Sequence, residues 1–378
     1  DNEEKEIIYA YDSTGNLIEK KTKISVGNWT TESYKYDSYG RILSKTDGNG
    51  NTSNYEYANA SDLEGKQGKD PVRVITNSGY EYEYEYDKVG RNTEITTDYG
   101  TIEFGYNNLN FVASIKDANG NVTIKNYDNM GNLISLYTPN ACIKGSISDE
   151  GYKYTYNHMD RLVSIKNPLG IVEKSIRDTE GNIIKEINPN YYNSETYDGL
   201  GIEYVYDKDN RKIKTIYPDG GVERFFYDSN GNVIRHISPE YYNKETDDGI
   251  GFSYTYDSMN RLRSIINEEG IAEKTFEYDL HGNIIKEIDN EGNATLFKYD
   301  LLGNLIEKRV PAEKDEGEIK YNVTCYAYDK NSNKILEKHG IALVSENEVC
   351  NSYHEIYFEY DEENRLVVVK DKYGAKAK

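Results

Sequence analysis

Tyr80, Tyr82, Tyr84 and Tyr86 alternate with Glu81, Glu83, Glu85 and Asp87. The same period of two runs through Tyr152, Tyr154 and Tyr156, interleaved with Lys153, Thr155 and Asn157, and through Phe252, Tyr254 and Tyr256. Successive side chains of a strand leave on opposite sides, so this pattern predicts half-buried strands with one aromatic and one wet face. Short aliphatic segments such as Leu133-Ile134, Ile183-Ile184 and Ile284-Ile285 follow a few residues later and predict return strands. No segment carries a helical period over a useful length.

Between outgoing and return strand stands a recurring Tyr-Asp-x-x-Gly. Clear copies include Tyr36-Asp37 with Gly40, Tyr86-Asp87 with Gly90 and Tyr127-Asp128 with Gly131. Others are Tyr227-Asp228 with Gly231, Tyr278-Asp279 with Gly282 and Tyr299-Asp300 with Gly303. There are 14 clear copies if Arg177, standing in the Tyr place, is counted, and a degraded one starts at Tyr57. The fourth residue after the anchor is Gly in eight copies, Asn in four, and Asp160 or Ser332 in the rest. Gly, Asn and Asp tolerate positive φ, so the motif predicts a type I turn closing on a left-handed residue, a common hairpin loop.

Anchor spacings of about 21 residues alternate with spacings of 29, giving a period of 50 at Tyr127, Arg177 and Tyr227. Pro139, Pro168, Pro189, Pro218, Pro239 and Pro311 all lie 12 residues after an anchor. That phase is expected to be a second turn, where proline costs no ladder hydrogen bond. A repeat at fixed period means stacked supersecondary units. The expectation is an all-β meander of roughly 28 to 30 strands, two per repeat. The eight-residue extensions, as at 190–199 and 240–249, are expected to be projecting loops. Their Tyr191, Tyr192, Tyr241 and Tyr242 are candidate contact residues.

Composition sharpens this picture. The 378 residues hold 38 Tyr but 8 Phe and one Trp, and the net charge is −21. A mean hydropathy of −0.84 would ordinarily point to disorder, but the tyrosines supply buried area and strand propensity. The acidic balance argues against nucleic acid and anionic membranes as partners. No apolar run is long enough for a membrane span, and Asp1-Asn2-Glu3-Glu4 opens no signal peptide, so a mature chain or an excised piece is expected.

Chemistry is sparse. The five histidines (His158, His236, His281, His339 and His354) are scattered without metal-ligand spacing, and no nucleophile elbow or phosphate loop is present. No catalytic residue, cofactor or metal is expected. Every Tyr-Asp carboxylate has a turn role repeated a dozen times, whereas a catalytic pair should be singular. Asp47-Gly48-Asn49-Gly50-Asn51 and Asp247-Asp248-Gly249 offer oxygen ligands for calcium, with Asx-type turns as the alternative. Cys325 and Cys350 are candidates for a disulfide between neighbouring strands in an oxidising compartment, with Cys142 left over. Trp29 reads as packing.

The repeats resemble the RHS/YD-repeat family, as in Tyr227-Asp228-Ser229-Asn230-Gly231-Asn232-Val233-Ile234 and Tyr278-Asp279-Leu280-His281-Gly282-Asn283-Ile284-Ile285. The residue after the Gly position is Asn or Arg in 13 of 14 copies, matching the family's habit. The resemblance implies hairpins joined edge to edge into a long, curved, spiralling antiparallel sheet, a section of a hollow shell or barrel. Residues 1–378 would then be one repeat array, a fragment of a larger protein. In bacteria such shells belong to secreted or cell-surface polymorphic toxins and toxin complexes, and they enclose a toxic C-terminal segment; the animal teneurins use a similar barrel in adhesion. The implied partners are the remaining shell and the C-terminal effector. The rival reading is a surface adhesion or glycan-binding module. The family's Asp-Pro-x-Gly-rich core motif is missing, so its self-cleaving aspartate cannot be carried over, and no variable toxin domain follows Tyr373-Gly374.

Overall fold

The computed structural model describes residues 5–58, 68–143, 146–147, 150–315, 318–343, 351–371 and 373–377. The alternating segments are strands, and they form an antiparallel sheet of 31 strands. Two small ladders stand apart, Cys142–Ile143 with Ser146–Ile147 and Tyr242–Asn243 with Asp248–Gly249. Single 3-10 turns cover Pro139–Ala141 and Pro189–Tyr191, and no α-helix occurs among the described residues. The all-β array of YD-repeat hairpins is therefore borne out.

One hairpin explains the rest. Val222–Tyr227 pairs with Val233–Ile237, and the register slips between Phe226 and Tyr227 so that Tyr227 faces Val233. This bulge is forced by the turn. Asp228 accepts from the Gly231 N–H through its carbonyl, and Gly231 has φ of 90°. Where Gly is replaced, Asn110, Asp160, Asn210, Asn260, Ser332 and Asn364 take positive φ between 56° and 66°. A side chain that resists that region would break the turn.

Proline mostly follows the expected second turn, with one correction. Pro311 lies inside the strand Leu305–Asp315, opposite Tyr321. The register shifts between Pro311 and Glu313, and a bulge is a place where a sheet tolerates a residue with no N–H. The hairpin simply runs on past the usual turning point.

The chain divides into two compact units, one formed by Asp1–Tyr84 with Ala272–Lys378 and the other by Glu85–Ile271. Neither depends on a large core. In the second unit Tyr137, Ala141 and Cys142 cluster against Val122 and Ile124, and Ile187 and Ile237 are buried beneath the two long loops. In the first unit Tyr321, Val323 and Cys325 cluster against Leu296 and Ile319. Most other strand side chains are half-buried, as expected for a sheet in which each hairpin is stabilised by its neighbours.

Within the first unit, turns some 280 residues apart meet. Asn49 Nδ2 donates to Asp329 Oδ2 at 2.9 Å, and Asn331 Nδ2 returns a bond to Asp47 Oδ2 at 2.6 Å. Thr30 Oγ1 donates to the Lys330 carbonyl at 2.8 Å. Further along, Asn77 donates to the Glu362 carbonyl, Ser78 to the Glu363 carboxylate, and Arg365 lies over the Tyr80 ring.

Candidate functional site

The anchor residues form a repeated device. Asp128 Oδ1 accepts the backbone N–H groups of Met130 and Asn132 at 2.9 Å each, and its Oδ2 accepts from the Asn132 amide at 3.0 Å. Asp228, Asp279 and Asp300 are held the same way by Asn232, Asn283 and Asn304. At Asp37 and Asp87 an arginine replaces the amide, Arg41 and Arg91 donating through Nε at 2.6 Å. The Asn132 amide bond, and after it the Asn132 backbone N–H, hold the Asp128 carboxyl below the usual carboxylate range.

The anchor hydroxyl reaches into the preceding repeat. Tyr36 donates to the Leu17 carbonyl at 2.9 Å, Tyr127 to Val112 at 3.0 Å, Tyr227 to Lys212 at 2.7 Å and Tyr256 to Val233 at 2.8 Å. Tyr57, Tyr106, Tyr156, Tyr206, Tyr328 and Tyr360 make the equivalent bond, which confirms the degraded copy at Tyr57 as a working anchor. The acceptor is always six residues past the previous anchor, beside the bulge. Each bond is worth about 1 kcal/mol net. Burial raises the hydroxyl pKa of Tyr127, Tyr227 and Tyr299 above the ordinary phenol range. Tyr86, Tyr278 and Tyr299 are the other anchors named from the sequence, and Tyr299 faces Leu305 across its bulge. Tyr86 ends the strand Glu81–Tyr86, and Tyr278 faces Ile284 across its own bulge.

Sequence reasoning missed this clip, and it missed a second element. Arginines five residues after an anchor stack on the next anchor ring, with the Arg41 guanidinium carbon 4.4 Å from the Tyr57 centroid. The Arg91–Tyr106 and Arg211–Tyr227 distances are 4.5 Å and 5.0 Å. The alternation of Asn and Arg at that position was the available signal. Both residues reach the next repeat, arginine at the anchor ring and asparagine at the turn, as where Asn132 Nδ2 donates to Asp160 Oδ1 and Asn232 Nδ2 to Asn260 Oδ1.

The candidate contact tyrosines divide. Tyr191 and Tyr241 are exposed, at 57% and 44%. Tyr192 and Tyr242 are half-buried, and the Tyr242 hydroxyl donates to Asp247 Oδ1 at 2.6 Å. The carboxylates of Asp47 and Asp247 considered for calcium are occupied by protein donors: Asn51 and Asn331 on Asp47, Tyr242 and Lys214 on Asp247. Among the described residues no group of three potential metal ligands occurs. The histidines are less scattered than linear spacing implies. His339 and His354 face each other across two strands, ring centroids 5.9 Å apart. Cys325 is buried beside Val323, and the pairing with Cys350 falls on a residue outside those described.

The model of the Teneurin YD-shell family matches residues 3–173. No curated protein matches the chain. Among solved structures, TcdB2-TccC3 without its hypervariable C-terminal region superposes with a TM-score of 0.61 at 12% identity, over 97% of this chain and 22% of that one. The Tc holotoxin pore of Photorhabdus luminescens gives 0.52 at 13%, over 96% and 20%. The chain thus spans about a fifth of the length of these structures. Residues 3–173 thus match the YD-shell model, and the chain as a whole shares the fold of these shell structures, as the Tyr-Asp repeats implied. The likeness at this identity extends to architecture alone.

Proposed function

We propose that residues 1–378 are one repeat array serving as a wall segment of a secreted or cell-surface bacterial shell protein, enclosing and shielding a C-terminal effector of the same polypeptide or complex. The observation that carries this reading is the clip. Ten anchor hydroxyls tie their hairpins to the ones before, so neighbouring repeats are held together as sheet. Such a surface has no need of a singular catalytic constellation, and the repeated aspartates are consumed by their turns. The remaining shell is the natural partner, since a sheet of this kind extends by adding strands at its edge.

The test is limited proteolysis of the longer polypeptide that contains this array and its C-terminal segment. Enclosure predicts that the segment resists digestion in place and is degraded rapidly when expressed alone. Equal digestion rates would overturn the reading. The exposed rings of Tyr191 and Tyr241 favour one second reading, a glycan-binding surface. Glycan-array binding that disappears in Tyr241→Ala, with the melting temperature unchanged, would establish it.

A further inference from the structure

The third residue after an anchor stands at the tip of its turn, and in the second unit that tip is apolar in four successive repeats. Val89, Leu109, Met130 and Met159 occupy it, all exposed, at between 47% and 74%. Met259 holds the same phase further along, so all three methionines of the chain are turn tips. The four tips are held rigidly. Each donates its backbone N–H to the side chain that opens its turn, Asp87, Asn107, Asp128 or Asn157, at 2.9–3.0 Å. Neighbouring turns are also joined side by side. Arg91 Nη1 donates to Asn110 Oδ1 at 2.7 Å, Phe111 stacks on Tyr127, and Asn132 Nδ2 donates to Asp160 Oδ1 at 2.9 Å. Anchor turns recur every second strand, so the tips form a ridge roughly 30 Å long at about 10 Å per step. Exposed apolar rows mark contact surfaces, and methionine adapts its shape to a partner.

What such a row meets is visible in the first unit. Leu302, Asn331 and Glu363 hold the same phase there and are half-buried, because turns from the start of the chain lie against their turns. These are second turns, the ones that join a return strand to the next outgoing strand. The Leu301 N–H donates to the Ile24 carbonyl at 3.3 Å, the Lys330 N–H donates to Asn49 Oδ1 at 3.1 Å, and Ser78 donates to the Glu363 carboxylate. The partners are about 280 positions apart in each case. Applied to Val89 through Met159, the same offset points upstream of Asp1. The mate must differ in chemistry. In the first unit the contact is polar, with Asn331 on Asp47 at 2.6 Å. Amides buried against Met130 would be left unpaired, so an apolar ridge rejects such a partner. Second turns with apolar tips do occur in this repeat, at the exposed Val26 and Leu169.

We propose that the ridge from Val89 to Met159 is one half of a seam, and that its mate is a row of apolar-tipped second turns from YD repeats upstream of Asp1 in the same polypeptide. This seam rests on the wall-segment reading and adds a second direction of assembly: strands join edge to edge, and turns join row to row.

Peroxide footprinting tests this, with oxidation of Met130 and Met159 followed separately by mass spectrometry. The two proteins to compare are residues 1–378 in dilute solution and the longer polypeptide extended upstream by at least one such offset. In 1–378 both methionines should oxidise within about threefold of an unstructured methionine peptide, and in the longer polypeptide both should slow at least about tenfold. Equal rates in the two proteins would overturn the seam. So would slowing that appears in 1–378 alone as its concentration rises, since the mate would then be a second copy. Met130→Glu should leave the melting temperature of 1–378 unchanged, yet return Met159 to fast oxidation in the longer polypeptide; continued protection of Met159 there would also overturn it. Enclosure has its own readout. An effector that resists protease while both methionines stay reactive refutes the seam alone, and protected methionines beside a digested effector refute enclosure alone.

Discussion

The two long loops after Ile187 and Ile237 share a frame and differ in the chemistry at their tips. In both, the closing glycines press on backbone. A Cβ on Gly201 would overlap the Glu186 carbonyl, and one on Gly251 the His236 carbonyl. Gly199 and Gly249 lie in the same way against the carbonyls of Tyr191 and Tyr241. The tip residue takes positive φ in each, 53° at Tyr197 and 54° at Asp247. A basic residue on the neighbouring strand meets the acid before the glycine, Lys185 with Asp198 and Arg235 with Asp248. At the tips the loops part. Tyr197 offers its carbonyl to Lys174 at 2.6 Å and its ring to the same ammonium, remaining 64% exposed. Asp247 instead gathers Lys214 at 2.7 Å, Arg224 at 3.6 Å and the Tyr242 hydroxyl. The second loop also forms a two-residue ladder, Tyr242–Asn243 with Asp248–Gly249, where the first has a single bridge from Asn193 to Asp198. Close backbone packing sets the frame, and one side chain decides how tightly the tip is tied down.

The largest effect should come from the frame. Gly201→Val and Gly251→Val force a side chain into backbone, and each is expected to destabilise by about 2–3 kcal/mol in urea unfolding. Clearly unequal losses would show that the frames are not equivalent. Gly231→Val, in an ordinary turn with open space around the glycine, isolates the conformational cost alone. It should destabilise by more than about 1 kcal/mol, and equal melting temperatures for variant and parent would refute a strained φ there.

Changes at the tips should be smaller. Asp247→Ala removes the acceptor of Tyr242 and Lys214, a partly exposed network worth at most about 1 kcal/mol. Hydrogen exchange should rise through 241–249, while Tyr197→Ala leaves 191–199 almost unaltered. Matching responses would erase the distinction between the loops. Acidification gives the finest discrimination. The Asp247 carboxyl is held below its usual range by Lys214 first and Tyr242 second, and Asp198 by the Gly199 N–H first and Lys185 second. A depressed folded pKa contributes stability above the ordinary carboxylate value of about 3.8, and that stability is lost as pH falls through and below it. Exchange rates corrected for intrinsic chemistry should therefore rise in both loops on acidification. In Asp247→Asn the response should fade in the second loop and persist in the first.

The parts of the molecule that were legible in advance are those settled within a few residues. Tyr80 to Tyr86 announce a strand because side-chain direction has a period of two. Gly231 announces its turn because positive φ is a property of one residue. The anchor clips were not legible from the tyrosine positions. Tyr256 finds the Val233 carbonyl only because two registers and a bulge bring that atom forward. Pro311 was misplaced for a related reason: its phase matched a turn, but the strand's continued pairing with Glu318–Tyr328 carried it into the ladder. His339 and His354 show the same limit, 15 positions apart in the chain and opposite each other in the sheet.

The chain alone therefore determined hairpins, their number to within a few strands and the left-handed residues that close them, because these depend on local sterics and on the alternation of faces. Tertiary structure decided which hydroxyl meets which carbonyl, and that the turns of Asp47 and Asp329 exchange amides. Those contacts join residues from different strands or turns. Their geometry follows from register, and register is a property of the assembled sheet.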